Sequence, residues 1–319
     1  MAPEYIFKKT NQLSTHEEDG FVQLFSRVFR KQMSFHQFHR KYRVTPFGYS
    51  YHGLMLANDK IVGAYNIIPY IYRFFGRDAK FGLSVDTMID EQYRGGPFNL
   101  LRMANLVMEA IRQDEVSFAF GFPNDNVYEF TTKVLKWRDI GELDYYVLPL
   151  NIGAVIPKLK CLDFLSRSFA RILIGLPRCR HKTQHEYCIE KVGGKAFDEH
   201  RYDSGYSMVD LGHRGRCVYK IYMEDQSIRT LYMTDVYPLT ATFFDKAVEQ
   251  VYAESRRLVD MILYVGTLPF RPARLVKLPD SRKPRRIRMC GKILNGEIVD
   301  DRIFQLESWN ANISNFDVR

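Results

Sequence analysis

The sequence predicts a mixed α/β fold, built as two halves that repeat one order of strands and helices. In each half, a run of strands leads into an amphipathic helix, and a buried strand follows that helix. Strands joined through a helix are expected to be parallel, so each half should hold a parallel pair in a sheet flanked by helices. The chain has 319 residues, 46% of them apolar, which suffices for two such cores.

Hydrophobic periodicity and turn signals predict the elements of the first half. The helix that begins near residue 98 has one apolar face, made by Leu100, Met103, Ala104, Val107 and Ile111. The expected order is a strand at 4–9, two helices within 15–43, three strands within 51–90, the helix from 98, a strand at 116–122, a helix at about 125–135 and a strand at about 144–150.

The second half is expected to repeat this order without repeating the residues. The predicted elements are a hairpin within 217–237 that turns near Glu224-Asp225-Gln226, a helix at 239–257, a strand at 260–266, a short helix near 270–277 and a strand at 286–294. The expected domains are therefore 1–151 and 185–319, with a connector at 152–184.

The connector carries an apolar stripe among basic residues, which fits either packing between the halves or contact with a membrane surface. Its position in the middle of the chain favours packing. The stripe consists of Leu162, Leu165, Phe169, Ile172 and Leu173.

Charge and cysteine content restrict the class of protein. The formal net charge of +9 favours an anionic partner, such as nucleic acid, a membrane surface or a phosphorylated small molecule. The five cysteines form no C-x-x-C pair, and no apolar run approaches the roughly 18 residues of a membrane helix. We therefore expect a reduced, cytoplasmic protein without stable membrane insertion.

A short loop at Gln92–Pro97 joins a strand to the helix that begins near 98. The first turn of a helix carries unpaired N–H groups and partial positive charge. Gly95 and Gly96 let a ligand approach the backbone, Arg94 adds a full charge, and Pro97 suits the first helical position. This combination predicts a phosphate-binding loop, although an ordinary strand–helix turn has the same outline.

The loop and its surroundings resemble those of the GNAT acetyltransferases, which carry a [QR]-x-x-G-x-[GA] signature here. Gln92, Arg94 and Gly95 match that signature, whereas Pro97 and Asn99 depart from it. The resemblance implies that acetyl-CoA is the co-substrate. It also implies a binding site made by Thr87, Met88, Ile89, Gln92, Tyr93, Arg94, Gly95, Gly96, Phe98 and Asn99.

Further expectations follow from the same resemblance, including a parallel pair that is splayed within a mostly antiparallel sheet. Family members often have an asparagine, which bonds the pantetheine arm, twelve residues before a Gly-Phe or Gly-Trp pair. Here Lys136-Trp137 occupies the place of that pair, and Asn124 is the asparagine. The position of the usual general-acid tyrosine is Thr132, so Tyr128, one helical turn earlier, is the candidate substitute. Asp86, just before the loop, is the candidate base or amine-orienting group.

The two-half layout resembles larger, tandem members of the superfamily from bacterial surface-polysaccharide (O-antigen) pathways. These are N-acetyltransferases acting on dTDP-linked 3-amino-3,6-dideoxyhexoses. The resemblance implies a nucleotide-linked amino sugar as acceptor, and a second half that contributes to the acceptor site without binding CoA. Candidate acceptor residues are Tyr42, Tyr49, Tyr51 and Trp309.

Other functions fit parts of the sequence. The acceptor could be another amine, such as a peptide or polyamine. The basic stretch 281–289 suggests a nucleic-acid-binding module, although no recognition motif accompanies it, and Thr132 makes a non-catalytic scaffold conceivable. His36 and His39 lie one helical turn apart without an apparent third ligand, so we expect no metal site.

Overall fold

A computed structural model describes residues 3–155, 161, 163–175, 186–224 and 228–316. The mixed α/β class is confirmed, with two sheets flanked by helices. The strands are β1 Glu4–Lys9, β2 Tyr51–Ala57, β3 Lys60–Phe74, β4 Arg77–Ile89, β5 Val116–Gly121, β6 Arg138–Glu142, β7 Asp144–Pro149, β8 Ile189–Lys191, β9 Ser207–Gly212, β10 Gly215–Glu224, β11 Ile228–Tyr237, β12 Met261–Gly266, β13 Val276–Lys277 and β14 Arg288–Ile293. The helices are α1 Thr15–Phe29, α2 Phe35–Tyr42, α3 Phe98–Gln113, α4 Asp125–Lys133, α5 Ile152–Val155, α6 Asp163–Gly175, α7 Lys195–Arg201 and α8 Ala241–Ser255.

The chain forms two compact units, and neither is continuous in sequence. The first unit comprises Met1–Gly141, Ile189–Arg201 and Ile287–Leu306, and the second comprises Glu142–Cys188, Tyr202–Arg286 and Glu307–Arg319. This division differs from the boundaries expected at 151 and 185. The difference arises because each unit takes a strand from the other part of the sequence.

The sheet of the first unit has the order β1-β2-β3-β4-β5-β14-β6, with β8 paired to β3. Neighbouring residues of a strand face opposite sides of a sheet, which separates Tyr51 from His52 on β2. His52 packs against Phe21 of α1 and Tyr42 of α2. Tyr51 belongs to the core that includes Met103 and other residues of α3. Thus α1 and α2 cover one face of the sheet, and α3 covers the other.

Capping residues start both helices of the first face. Ser14 and Ser34 form capping boxes with Glu17 and Gln37 at the starts of α1 and α2. The predicted apolar face of α3 is buried, with Leu100 packed at its edge. A Cβ atom on Gly53 would lie 2.6 Å from the carbonyl oxygen of Met103, so glycine is what lets α3 approach β2 this closely.

The sheet of the second unit has the order β13-β7-β12-β11-β10-β9. Its β11 and β12 are parallel and are joined through α8. The strand expected at 144–150 exists as β7, but it pairs with β12 and β13 in this sheet. The helix expected at 270–277 is wrong: that stretch is irregular and ends in β13. In the predicted hairpin turn, residues 225 and 226 lie outside the described residues.

The connector contains α5 and α6, and α6 packs on the core of the second unit. Its Ser166 and Ala170 are buried, and Leu173 packs against that core. Leu165, Phe169 and Ile172 of the predicted stripe are exposed instead, and Leu162 lies outside the described residues. Among the described helices, none is long and apolar enough to cross a membrane.

Candidate functional site

The parallel strands β4 and β5 separate at one end of the first unit. Their pairing runs from Lys80–Val116 to Ser84–Gly121, where β5 ends, whereas β4 continues to Ile89. The Asp90 N–H donates to Val62 of β3, so the N–H of Ile89 faces the opposite edge, toward the opening. The carbonyl of Ile89 faces the same way, because it accepts a hydrogen bond from Arg94. Ile89, one of the residues expected in the acetyl-CoA site, therefore presents its amide at the splayed edge.

The Gln92–Pro97 loop lies at this opening and is exposed. A Cβ on Gly95 or Gly96 would meet no atom within 4 Å among the described residues, and Gly96 has a φ of +100°. Pro97 is the N-cap of α3 and contributes no capping hydrogen bond in the described chain. The first-turn N–H groups of α3 therefore point at open space beside two glycines, which fits a bound phosphate.

Two side chains hold the loop in place. Asn99 donates to the carbonyl of Tyr93 (2.8 Å) and accepts from the hydroxyl of Tyr5 (2.6 Å). The Nε of Arg94 donates to the carbonyl of Ile89 (2.8 Å), which ties the loop to the end of β4. Asn99 thus has an internal role in the loop, and Phe98, 69% exposed, is the side chain that faces solvent beside the glycines.

Asp86 lies two residues beyond the last β4–β5 pair, in a bulge of β4. The pairing with β3 shifts between Ala64 and Asn66, and Asp86 has a left-handed backbone with φ of +42°. Its carboxylate accepts a hydrogen bond from Tyr42 and forms an ion pair with Lys41. Tyr42, expected to line an acceptor pocket, is fully buried and is instead a direct partner of Asp86. Sequence reasoning missed Lys41, the residue before Tyr42.

Tyr49 and Tyr51 bind a different carboxylate from Tyr42. The hydroxyls of both donate to Asp114, at the end of α3, and Lys9 and Lys80 form ion pairs with the same group. Burial raises the pKa of Asp114, but hydrogen bonds from the two tyrosines and Lys9 outweigh this and hold it well below its usual range. Tyr51 lies on the α3 face, away from Asp86, so the expected shared pocket of Tyr42, Tyr49 and Tyr51 is wrong.

Asn124, Tyr128 and Thr132 lie at the start of α4 or within it. The side chain of Asn124 accepts from the Val127 N–H and caps α4. The hydroxyl of Tyr128 donates to Asp139 (2.7 Å), and burial together with that carboxylate raises the pKa of Tyr128 to about 12. The Thr132 hydroxyl donates to the carbonyl of Tyr128 (2.9 Å), so it serves the helix.

Lys136 occupies the glycine position of the family's G-[FW] pair. It has a φ of +59°, a conformation that glycine adopts most readily. The next residue, Trp137, is buried in the core beneath α3. The local geometry expected from the resemblance is thus present although the glycine is not.

The second unit repeats the splay of the first but fills it. The β11–β12 pairing ends at Met233–Tyr264, and Asp235 lies two residues further, as Asp86 does in the first unit. Asp235 is 5% exposed and accepts hydrogen bonds from Tyr202 and Asn312. Asn312 also bridges Gly266 at the end of β12. The C-terminal segment therefore occupies the opening that stays clear in the first unit.

Trp309, expected to close an acceptor pocket, belongs to this segment. It is fully buried, and its carbonyl accepts from the hydroxyl of Thr267 (2.6 Å). A side chain with no exposed surface cannot line an open pocket, so that expectation is wrong.

Ion pairs neutralise much of the basic stretch 281–289. Lys283 is 3% exposed and contacts Glu142, Asp144 and Asp280. Arg286 pairs with Glu142, and Arg288 pairs with Asp125. These charges serve the fold, which weakens the case for a nucleic-acid-binding surface.

His39 is also engaged, since its Nε2 lies 2.8 Å from Glu18. Among the described residues, no group of three His, Cys, Asp or Glu side chains could hold a metal ion.

Residues 9–133 match the family model of the GNAT acetyltransferase domain. The chain therefore contains a GNAT domain, and it is an acyltransferase. This match covers the splayed strands, the glycine loop, α3 and α4. No curated protein matches the sequence.

Solved structures share the fold. A GCN5-related N-acetyltransferase from Anabaena variabilis ATCC 29413 is 12% identical, with a TM-score of 0.58 over 91% of this chain and 73% of that one. A GCN5-related N-acetyltransferase from Kribbella flavida is 12% identical, with a TM-score of 0.58 over 92% and 72%. A probable N-acyltransferase from Enterococcus faecalis V583 is 11% identical, with a TM-score of 0.57 over 92% and 73%. At these identities the likeness establishes the fold alone.

Proposed function

We propose that the protein transfers the acetyl group of acetyl-CoA to a primary amine, and that the first unit carries the transfer. The observation that supports this most strongly is the exposed glycine loop at the opening of β4 and β5. There the amides of the first α3 turn and of Gly95, together with the Arg94 side chain, would hold the CoA phosphates. The N–H of Ile89 at the splayed edge would stabilise negative charge on the thioester oxygen during the reaction.

The transfer requires one proton to leave the amine and one to reach sulfur. The amine nitrogen attacks the thioester carbonyl, the C–N bond forms, and the C–S bond breaks to give an amide and free CoA. Asp86 is already held by Tyr42 and Lys41, which supports a role in orienting the amine over a role as base. The proton of Tyr128 is directed at Asp139, so we propose that solvent takes up the amine proton and protonates the thiolate.

For the acceptor we propose a nucleotide-linked amino sugar of the dTDP-3-amino-3,6-dideoxyhexose type. The net charge of +9 supports an acceptor that bears a diphosphate. An amine beside electron-withdrawing ring oxygens is less basic than lysine, so a useful fraction is neutral near pH 7–8. Such an amine needs orientation more than it needs a base, which agrees with the surroundings of Asp86.

Calorimetry with acetyl-CoA, followed by an acceptor panel, tests the proposal. We expect saturable acetyl-CoA binding, and thiol release with dTDP- or UDP-linked amino sugars above that seen with peptides or polyamines. Reaction with peptides or polyamines alone would refute the acceptor class but leave the transferase intact. A folded protein that does not bind acetyl-CoA would refute the whole proposal.

A further inference from the structure

A line of buried polar side chains crosses the first unit and ends at the bulge of β4. Thr10, His52 and Asn66 are each fully buried. Thr10 Oγ1 lies 2.8 Å from His52 Nε2, and His52 Nδ1 lies 2.8 Å from Asn66 Oδ1. Asn66 Nδ2 donates to the backbone carbonyl of Asp86 at 2.8 Å. Burying a polar group costs free energy of folding unless the group is hydrogen-bonded. A continuous line of such groups in a core therefore indicates a structural role.

The direction of these hydrogen bonds follows from the last of them. A carbonyl only accepts, so the amide nitrogen of Asn66 faces Asp86 and its oxygen faces His52. His52 must then donate from Nδ1. Burial lowers the pKa of His52 to about 4, so the ring is neutral near pH 7 and its Nε2 accepts from Thr10.

The Thr10 hydroxyl can donate to His52 because the two backbone carbonyls near it have other donors. Its hydroxyl accepts from the Ser50 N–H (2.9 Å). The neighbouring carbonyl of Tyr42 has another donor in the Ser50 hydroxyl (2.9 Å), and that of Ser50 has another donor in the Thr10 N–H. Every hydrogen bond in the line therefore points one way, from the start of β2 toward Asp86.

The end point of the line is a strained residue. A left-handed conformation at a residue other than glycine costs on the order of 1 kcal/mol or more and persists when its surroundings hold it. At the bulge the β3–β4 ladder is interrupted, and the Asn66 side chain supplies a hydrogen bond that reaches across the interruption. Asn66 therefore restrains both Asp86 and the backbone that leads to Ile89.

We propose that Asn66 is a positioning residue for acetyl transfer, with His52 fixing its orientation. Asn66 holds the Asp86 bulge, and the bulge sets the place of the strand amides that polarise the thioester carbonyl. This inference rests on the proposed function, in which that carbonyl lies at the opening of β4 and β5. His52 and Asn66 stand among the aliphatic and aromatic residues of β2 and of the middle of β3, residues 61–72, which is the signal that sequence analysis could have used.

The test compares Asn66→Leu with the double variant His52→Phe/Asn66→Leu. The single variant leaves the Nδ1–H of His52 unpaired and should lower Tm. The double variant removes that donor, and the Thr10 hydroxyl can turn to the Tyr42 carbonyl 3.0 Å away, so Tm should recover. Ser117→Ala on β5 is the control: Ser117 is buried, and its hydroxyl lacks a hydrogen-bond partner in the described chain.

The readout is the infrared carbonyl band of bound acetyl-CoA labelled with carbon-13 at the thioester carbonyl. In the wild type and in Ser117→Ala we expect a shift to lower wavenumber relative to free acetyl-CoA. In the double variant, with recovered Tm and unchanged acetyl-CoA affinity, most of that shift should be lost. A double variant that keeps the full shift, or a wild type that binds without a shift, would overturn the inference.

Two further arms keep the test decisive. If the double variant does not fold, Asn66→Ser replaces it, because the serine side chain is one heavy atom shorter and cannot reach the Asp86 carbonyl. Asn66→Ser should lose most of the shift, and its retention would overturn the inference. Absence of acetyl-CoA binding by the wild type would instead show that the proposed function has failed.

Discussion

Asn312 bridges the end of β12 at Gly266 and donates a hydrogen bond to Asp235 on β11. These contacts fill the splay of the second unit with the protein's own C-terminal segment. In addition, Tyr237-Pro238-Leu239-Thr240 stands between β11 and α8, where the first unit has its glycine loop. The second unit keeps the strand arrangement of the proposed acetyl-CoA site, but its own backbone and side chains fill the corresponding opening.

This relationship predicts one acetyl-CoA site per chain. Isothermal calorimetry of the full-length protein should give a stoichiometry near one, with a single binding isotherm. Asp235→Asn should leave acetyl-CoA affinity within about twofold, because Asp235 faces Asn312 and Tyr202 in a filled opening. Two equivalent sites, or a large loss of affinity in folded Asp235→Asn, would contradict this account.

Gly95 tests the phosphate-binding loop. Gly95→Glu should weaken acetyl-CoA binding by at least about tenfold, or about 1.4 kcal/mol, because it adds bulk and negative charge where phosphates are proposed to bind. The matched control is Gly95→Ala, since a Cβ at this position meets open space among the described residues. Both variants should keep the wild-type Tm, and equal affinity in both would refute the assignment of the loop.

Arg94 separates binding from catalysis. Arg94→Ala should raise KM for acetyl-CoA by about tenfold and lower kcat by much less. A phosphate contact acts equally in the ground and transition states, so its loss is uniform. The smaller fall in kcat would come from loss of the hydrogen bond that Arg94 donates to the Ile89 carbonyl. Steady-state kinetics with Arg94→Lys beside it check whether charge alone restores KM. A collapse of kcat at constant KM would assign Arg94 to the chemical step.

Substitution of Asp86 tests whether its carboxylate orients the amine or acts as a general base. If it orients the amine, Asp86→Asn should retain activity within about tenfold, with the same pH profile, because asparagine can still accept from Tyr42. If it is the base, kcat should fall by about 10²–10⁴ and recover in part at high pH, where the amine deprotonates unaided. Asp235→Asn is the matched control, since it changes the corresponding residue of the second unit.

Local patterns were sufficient to predict the α/β class, the apolar face of α3 and the place of the glycine loop. They could not show which sheet each late strand joins, because pairing partners are distant in sequence. Residues 288–293 form β14, which pairs with β5 in the first unit, while residues 144–149 form β7 in the second. A chain cut near Leu150 would therefore lose a strand of the sheet that carries the loop.

The sequence likewise did not predict which side chains form hydrogen bonds and ion pairs with each other. Tyr42 and Tyr51 both looked like pocket residues, yet strand and helix geometry sends them to different carboxylates on opposite faces. Lys41 escaped notice because a lysine in a basic helix normally points to solvent. Here it is 7% exposed and pairs with Asp86.

His52 predicts how stability depends on pH. Burial lowers its pKa to about 4, against an ordinary value of about 6.5 in the unfolded chain. As pH falls below about 6.5, the unfolded state takes up a proton that the folded state resists. This group's contribution to the free energy of unfolding should thus be constant above that pH and fall by up to about 3 kcal/mol between pH 6.5 and 4.

Urea unfolding from pH 7.5 to 4.5 measures this effect, with His52→Phe/Asn66→Leu as the matched variant. The double variant has lost the titrating group, so its free energy of unfolding should fall less than that of the wild type over this range. The difference between the two curves should develop between pH 6.5 and 4.5 and be flat above pH 7. Parallel curves would show that folded His52 takes up a proton as readily as the unfolded chain does, which would contradict the prediction that burial lowers its pKa.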